Sequence, residues 1–280
     1  MTTLILTEKF SPMVDERFAP SAVTTASTNQ DYEFIGAQTV KITSVQTVPM
    51  NDYKRSGSNR YGQAEELGND IQELTMSRDR SFTFTMDKMN EEESEVKVAP
   101  ALARQMREVV IPEIEAYRLG VMAEKAGTKV ATPIGEKEAY KAFLAGQEVL
   151  DDNFVPENRV CHATPSFINK IKVDDNFVKA SEMAQGTVLF KGQVGEVDGV
   201  AIIKTPKSFM NGQEFIITHK SATVAPVKLA ETKVHLDPQG ISGTLVEGRF
   251  YYDAFVLDMK KMAIYAHAKA EVTAKATAKK

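Results

Sequence analysis

Leu74, Met76, Arg78, Arg80, Phe82, Phe84 and Met86 alternate along the chain with Thr75, Ser77, Asp79, Ser81, Thr83 and Thr85. A period of two marks a half-buried strand. From Asp87 onward the period becomes helical, with Leu102, Met106, Val110, Ile114, Tyr117 and Val121 spaced three or four apart. A helix running from Asp87 to Gly127 would be about 60 Å long. A compact sphere of this chain length would be only about 48 Å across. The pattern predicts an elongated molecule.

The helical stretch carries its own punctuation. Glu91, Glu92, Glu93 and Glu95 lie near its start, where carboxylates favour the positive end of the helix dipole. Pro100 predicts a boundary, because Ala99 before it is biased away from helical geometry. Pro112 falls inside the pattern and predicts a kink, since a proline removes one hydrogen bond and crowds the preceding turn. Gly127 is the expected C-cap. Upstream, Thr39 to Val48 alternates as a second strand. Pro49 to Glu73 connects the two, through Ser56-Gly57-Ser58-Asn59 and Gly68-Asn69-Asp70. The simplest arrangement is a long hairpin over 39–86 with a polar tip. Such a hairpin is marginal by itself in water, so its distal part needs another surface, most simply a second copy of the chain.

Downstream, Glu136 to Leu150 reads as a second helix and Ser166 to Ile171 as a short third. Strands are expected at Arg159–Ala163, Gly199–Lys204, Glu214–Thr218, Thr244–Glu247, Tyr251–Leu257 and Met262–His267. Thr2 to Asp31 lacks periodicity and reads as an extended arm that cannot fold alone. Residues 269–280 read as a flexible basic tail. Fold class is therefore α+β.

Composition narrows the function classes. The 34 Lys and Arg against 38 Asp and Glu give a net charge of −4, which argues against a general nucleic-acid binder. With one cysteine, Cys161, no disulfide can form within the chain, and synthesis in a reducing compartment is expected. No apolar run approaches the ~20 residues that span a bilayer, and the Leu4-Ile5-Leu6 run is too short for a signal sequence.

Catalytic and metal patterns are thin. His162, His219, His235 and His267 are widely spaced, outside any HxxxH or HExxH arrangement. Cys161 and His162 are neighbours, but neighbours on a strand point to opposite faces, which opposes a nucleophile–base pair. The glycines at 186, 192, 195 and 199 lack a phosphate-binding pattern and read as turns. No enzyme, metal or cofactor is expected. The strongest candidate contact surface is the hairpin tip, where Tyr53, Lys54, Arg55, Arg60 and Tyr61 interleave aromatic and basic residues. That pattern can stack bases and meet phosphates. Glu65, Glu66 and Asp70 close behind make the field mixed, so intersubunit contact is the preferred reading.

The order of these pieces carries a resemblance. An arm, a long hairpin, "SFTFTMDKMNEEE", "REVVIPEIEAYRLGVMA", "GQVGEVDGVAIIKTP" and "VEGRFYYDAFVLDMKKMAIYAH" together resemble a tailed-bacteriophage major capsid protein of the Hong Kong ninety-seven type, over about Asp31 to His267. The resemblance implies an N-terminal arm (1–38), an extended hairpin loop (39–86), a peripheral domain with a spine helix (87–129 and 236–268) and an axial domain (130–235). It also implies assembly through pentamers and hexamers into an icosahedral shell around double-stranded DNA, without sequence-specific binding. The expected location is the virion, and the host cytoplasm during assembly. A separate scaffolding protein and a portal are the expected partners. No Lys54–Asn59 type of cross-link is expected. Pro112 would set the bend of the spine helix. Competing readings are an encapsulin-like cellular compartment, a phage tail or decoration protein, and a Cys161-dependent hydrolase.

Overall fold

The computed structural model describes residues 22–29, 39–64, 66–89, 98–174 and 195–269. After a 3-10 turn at Thr24–Ala26 come strands β1 (Thr39–Val45), β2 (Asn69–Thr75) and β3 (Arg78–Asp87). The long helical segment is α1 (Val98–Gln105), a π-turn (Met106–Val110) and α2 (Ile111–Lys125). Next are β4 (Thr128–Val130), α3 (Ala139–Asp152), β5 (Arg159–Ala163) and α4 (Pro165–Val173). The rest is mainly strand: β6 (Glu196–Val197), β7 (Val200–Lys204), β8 (Gln213–His219), β9 (Thr223–Val224) and β10 (Val227–Leu236). β11 (Gly243–Tyr252), β12 (Phe255–Val256), a 3-10 helix (Asp258–Ala263) and β13 (Ile264–Ala268) complete the α+β fold.

Two larger sheets organise the molecule. A mixed six-stranded sheet has the order β4-β13-β8-β5-β7-β6, and an antiparallel three-stranded sheet has the order β10-β11-β3. On one face of the first sheet, Cys161 lies opposite Ile217, and Ala163 opposite Phe215. Phe143 from α3 and Phe167 and Ile171 from α4 are fully buried in the same apolar cluster. Phe167 stacks on Phe215 at 4.4 Å between ring centroids. Each such side chain contributes about 1.5–3 kcal/mol by leaving water. The start of α4 is set locally: Thr164 is the N-cap, its Oγ1 accepting from the Phe167 N–H at 3.3 Å, and Pro165 takes the first helical position.

α2 serves both sheets. Leu119, Met122 and Ala123 join the six-stranded sheet's cluster. Ile114 and Tyr117 instead pack with Val110, Phe250, Tyr252 and Phe82 under the three-stranded sheet.

Several expectations are corrected. The strand through Leu74 and Met86 is two strands with different partners: β2 pairs with β1, and β3 pairs with β11. Their side-chain alternation runs unbroken across Met76 and Ser77, so the change of partner leaves no mark on the pattern. The hairpin is therefore Thr39–Thr75, shorter than 39–86. Of the helical stretch expected over 87–127, Lys88 and Met89 are helical, Glu91 to Glu95 lie outside the described residues, and the chain is helical from Val98 to Lys125. Ala99 and Pro100 are inside α1, so no boundary falls there. Pro112 is the second residue of α2, directly after the π-turn, and the Ile111 N–H donates to Met106 O, five residues back. Strand pairing also crosses the boundaries expected at 129/130 and 235/236. β4 and β13 share the six-stranded sheet, while β10, which ends at Leu236, pairs with β11.

Gly127 is not a left-handed cap. α2 ends at Lys125 with Ala126 extended, and the Gly127 N–H donates to Lys261 O at 2.8 Å. A Cβ there would lie 2.6 Å from that oxygen and 2.7 Å from the Met262 Cα. Both obstacles are backbone, so Gly127→Ala should cost about 1–3 kcal/mol. Thermal unfolding should show the loss as a midpoint lower by several degrees; an unchanged midpoint would refute the close-approach argument.

Candidate intersubunit site

The hairpin is anchored at one end and uncovered at the other. At its root, Leu74 and Met76 are buried with Val224 and Leu257, and Val40 and Ile42 pack against them. Gln72 ties the strand sideways: its Nε2 donates to Val256 O at 3.0 Å, and its Oε1 accepts from the Asp258 N–H at 3.0 Å. Beyond the root, Lys41 and Glu73 form an exposed ion pair at 2.6 Å. Val45, Val48, Met50, Leu67 and Ile71 are all exposed, Met50 completely. A groove of about 400 Å³ lies between the hairpin and the 258–263 helix, lined by Ile42, Ile71, Leu257 and Met259 among others.

The five tip residues are brought together. Tyr53 and Tyr61 meet edge-to-face at 5.0 Å. The Lys54 N–H donates to Arg60 O at 3.0 Å, and Arg60 Nε donates to Gly57 O at 3.3 Å across the bend that contains Arg55. Asn59 (φ 59°) and Gly57 (φ 95°) turn the chain there. Among the described residues no carboxylate pairs with Lys54, Arg55 or Arg60. The tip therefore presents two aromatic rings and three cations on its surface.

The hairpin joins β3 through a buried carboxylate. Asp253, 2 % exposed, accepts from the Ser77 N–H (2.8 Å), Ser77 Oγ (3.1 Å), the Ala254 N–H (2.8 Å) and Tyr117 Oη (2.6 Å). Burial, and then the bond to Asp253, push the Tyr117 phenol up to about 12. The Arg78 guanidinium lies over the Tyr117 ring at 4.2 Å.

A second buried carboxylate was missed by sequence reasoning. Glu115, 1 % exposed, accepts from the Val23 N–H (2.8 Å), the Thr24 N–H (2.7 Å) and Thr24 Oγ1 (2.9 Å). Arg118 Nη1 lies 3.5 Å from the same carboxylate. Burial works against the Arg118 charge, and Glu115 beside it favours it. The arm residues Thr24, Ser27, Thr28 and Asn29 are consequently buried. Hydropathy gives no signal of this, because polar contacts hold the segment.

Cys161 and His162 point to opposite sides of β5. The thiol is fully buried in the apolar cluster, and burial pushes its pKa up. His162 Nε2 instead lies 2.8 Å from Ser27 Oγ and Nδ1 lies 3.4 Å from Thr205 Oγ1. The remaining histidines are apart: His219 contacts Ser221, His235 contacts Glu247, and His267 contacts Thr132. Among the described residues no three His, Cys, Asp or Glu side chains could hold a metal ion, and no helix is long and apolar enough to cross a membrane. Of the glycine-rich stretch, Gly195 and Gly199 are described, with Gly199 (φ 73°) in the β6–β7 turn; Gly186 and Gly192 lie outside the described residues.

This architecture has counterparts among solved structures. A chain of Mycobacterium phage Che8 superposes with a TM-score of 0.80 at 16% identity, covering 95% of this chain and 98% of that one. The chain has a phage-capsid fold. A chain from the capsid of cyanophage P-SCSP1u gives a TM-score of 0.74 at 14% identity, with coverage of 95% and 94%. One from the mature capsid of bacteriophage PhiM1 gives 0.73 at 13%, covering 95% and 92%. No family model and no curated protein matches the sequence.

His162 should leave a pH signature. Burial lowers its folded pKa from 6.5 to about 4, so as pH falls the unfolded chain takes up the proton first. Its contribution is complete above pH 6.5, declines toward about pH 4 and then levels off. A shift of this size corresponds to roughly 3 kcal/mol. The thermal midpoint of the wild type should fall more steeply across that window than that of His162→Gln; equal slopes would place the sensitivity elsewhere.

Proposed function

We propose that this chain is a tailed-phage major capsid protein. Its copies assemble through pentamers and hexamers into an icosahedral shell enclosing double-stranded DNA. The observation that carries the reading is the hairpin: its root is clamped to the body, while Val45, Met50 and Ile71 beyond it lie in water. An exposed apolar arm of this kind is a liability in a free monomer. A neighbouring copy that covers it removes that liability. The capsid chains with the same fold support this choice over a tail or decoration protein. The burial of Cys161 weighs against a thiol hydrolase.

In this reading the arm is 1–38, the extended loop is Thr39–Thr75, and the peripheral domain combines α1, α2 and the three-stranded sheet. The six-stranded sheet with α3 and α4 is the axial domain. A separate scaffolding protein and a portal are the partners, DNA is enclosed without sequence-specific contacts, and the protein acts in the virion after assembly in the host cytoplasm. The tip residues Tyr53, Lys54, Arg55, Arg60 and Tyr61 meet the adjacent subunit.

Expression of the full chain, alone and with a candidate scaffolding protein, followed by negative-stain electron microscopy, tests this reading. Closed shells or rings of five or six subunits are expected. Replacing 47–66 by a two-residue Asn-Gly turn should leave a folded monomer that no longer assembles. A wild-type chain that stays a compact monomer under both conditions would overturn the proposal.

The interrupted ladder before Pro112 adds a second expectation. Because the π-turn precedes a residue with no N–H to donate, this point is where the spine bends to suit shell curvature. Pro112→Ala should shift particle diameter or yield. Shells of unchanged size distribution and yield would remove Pro112 from that role.

A further inference from the structure

Among the described residues β10 is a long edge strand that is exposed along almost all of its length. Of its ten residues only Leu229 is even half-buried. One edge pairs with β11, and among the described residues nothing pairs with the other. Free edges of this length are usually blunted by a proline, a short strand, a strong bulge or charged side chains, and β10 carries only the last of these, in Lys228, Glu231 and Lys233. Here there is no proline, and the single irregularity lies near one end, between Val227 and Leu229. Among the described residues, the outer-edge N–H and C=O groups of the stretch from Leu229 to Leu236 therefore have no partner strand.

The two faces of β10 differ. Ala230, Thr232 and Val234 register against Phe250, Gly248 and Val246 of β11, and so share the helix-facing side of the sheet. That apolar side runs outward from Val246, 0 % exposed, to Val234, 49 % exposed, where it ends in water. Glu231, Lys233 and His235 occupy the other side. Glu231 and Lys233 sit 3.6 Å apart along the strand, with side chains 54% and 65% exposed.

We infer that β10 pairs antiparallel with β10 of a second copy, about a two-fold axis through Thr232. In that register Glu231 faces the second copy's Lys233, and Lys233 faces its Glu231. Ala230 and Val234 likewise face each other twice, extending the apolar side across the axis. Opposite charges directly across a ladder stabilise it, and like charges weaken it. The neighbouring registers fail this test. A slip of one residue sets Glu231 against Val234 or Thr232. Two residues set Lys233 against Lys233, or Glu231 against Glu231. Only the Thr232-centred register satisfies both charges and the apolar side, and two three-stranded sheets then become one of six strands. Such a contact is isologous and closes on itself. It goes beyond the capsid reading, holding whether or not the pairs are built into shells, and would occupy a two-fold position within one.

Single cysteines in the full-length chain test this. Directly opposed residues have Cα atoms within disulfide range, so Thr232→Cys should cross-link to itself under mild oxidation. The thiols of Leu236→Cys would be about 27 Å apart across the axis and should not cross-link, although position 236 is well exposed. Wild type, whose Cys161 is buried, serves as the blank. On a non-reducing denaturing gel, dimer from Thr232→Cys should exceed that from Leu236→Cys by about tenfold or more, given this geometry. Equal yields from both, or none from Thr232→Cys, would overturn the register. Glu231→Lys and Lys233→Glu provide an independent check in the Thr232→Cys background. Each alone should cross-link poorly, and an equimolar mixture should recover heterodimer, because only the mixture restores opposite charges across the axis. Undiminished cross-linking by either single charge variant would also overturn the proposal. Microscopy of the same samples separates the two readings. Shells without the cross-link refute the β10 pairing alone, and cross-linking in a chain whose wild type forms no shell either alone or with a candidate scaffolding protein refutes the capsid reading alone.

Discussion

The structure hangs on carboxylates that α2 holds or reaches inside the protein. Burying a charge is costly unless donors surround it. Glu115 meets that demand with two backbone N–H groups and a hydroxyl from the arm, with Arg118 alongside. Tyr117, two residues on, donates to Asp253, whose other partners are Ser77 and Ala254. One helix thus fixes the arm, the hairpin root and the turn after β11. Loss of a single partner would strand a buried charge, so the three attachments hold with high stakes. The apolar packing on either side of α2 supplies bulk stability, but it does not by itself say where a polar arm must lie.

The same arrangement explains why some elements were legible and others were not. β5 was read with its observed bounds because Arg159–Ala163 is short, flanked by turn signals and buried on both faces. The helices expected at 136–150 and 166–171 are observed at 139–152 and 165–173; apolar spacing made the first legible, and the Thr164 cap with Pro165 fixes where the second starts. The interleaved tip residues were legible as a cluster because a hairpin brings its two sides together. Three features stayed hidden. The exchange of partners at Met76 and Ser77 lies between two strands in the same alternation, and residues far away in sequence, Tyr251 and Asp253, mark the joint. The docking of Thr24 and Ser27 relies on hydroxyls and N–H groups that hydropathy scores as solvent-seeking. β10 has no buried residue and an irregularity at Leu229, so its apolar and polar positions do not alternate cleanly from the start.

Pro112 illustrates how a local rule can be right about the residue and incomplete about the response. A proline inside a regular helix would confront the carbonyl four residues back. Here the preceding turn widens to a π-turn, and Ile111 bonds to Met106 instead. The helical segment then continues as α2 without ending.

What is fixed and what is uncovered also divide along functional lines. Polar clamps with short bonds secure the hairpin root and the arm, whereas the exposed apolar residues are concentrated on the distal hairpin and at the edge of β10. Directional contacts specify where a protruding element starts, and non-directional burial rewards whatever later covers it. On the proposed reading this division suits a shell. The clamps give each subunit the same protrusion, and the contacts that cover it can each remain weak because every subunit makes several at once. Ring and shell closure then leave few free edges, so an edge strand that would be hazardous in a persistent monomer is tolerable in a protein that spends little time as one.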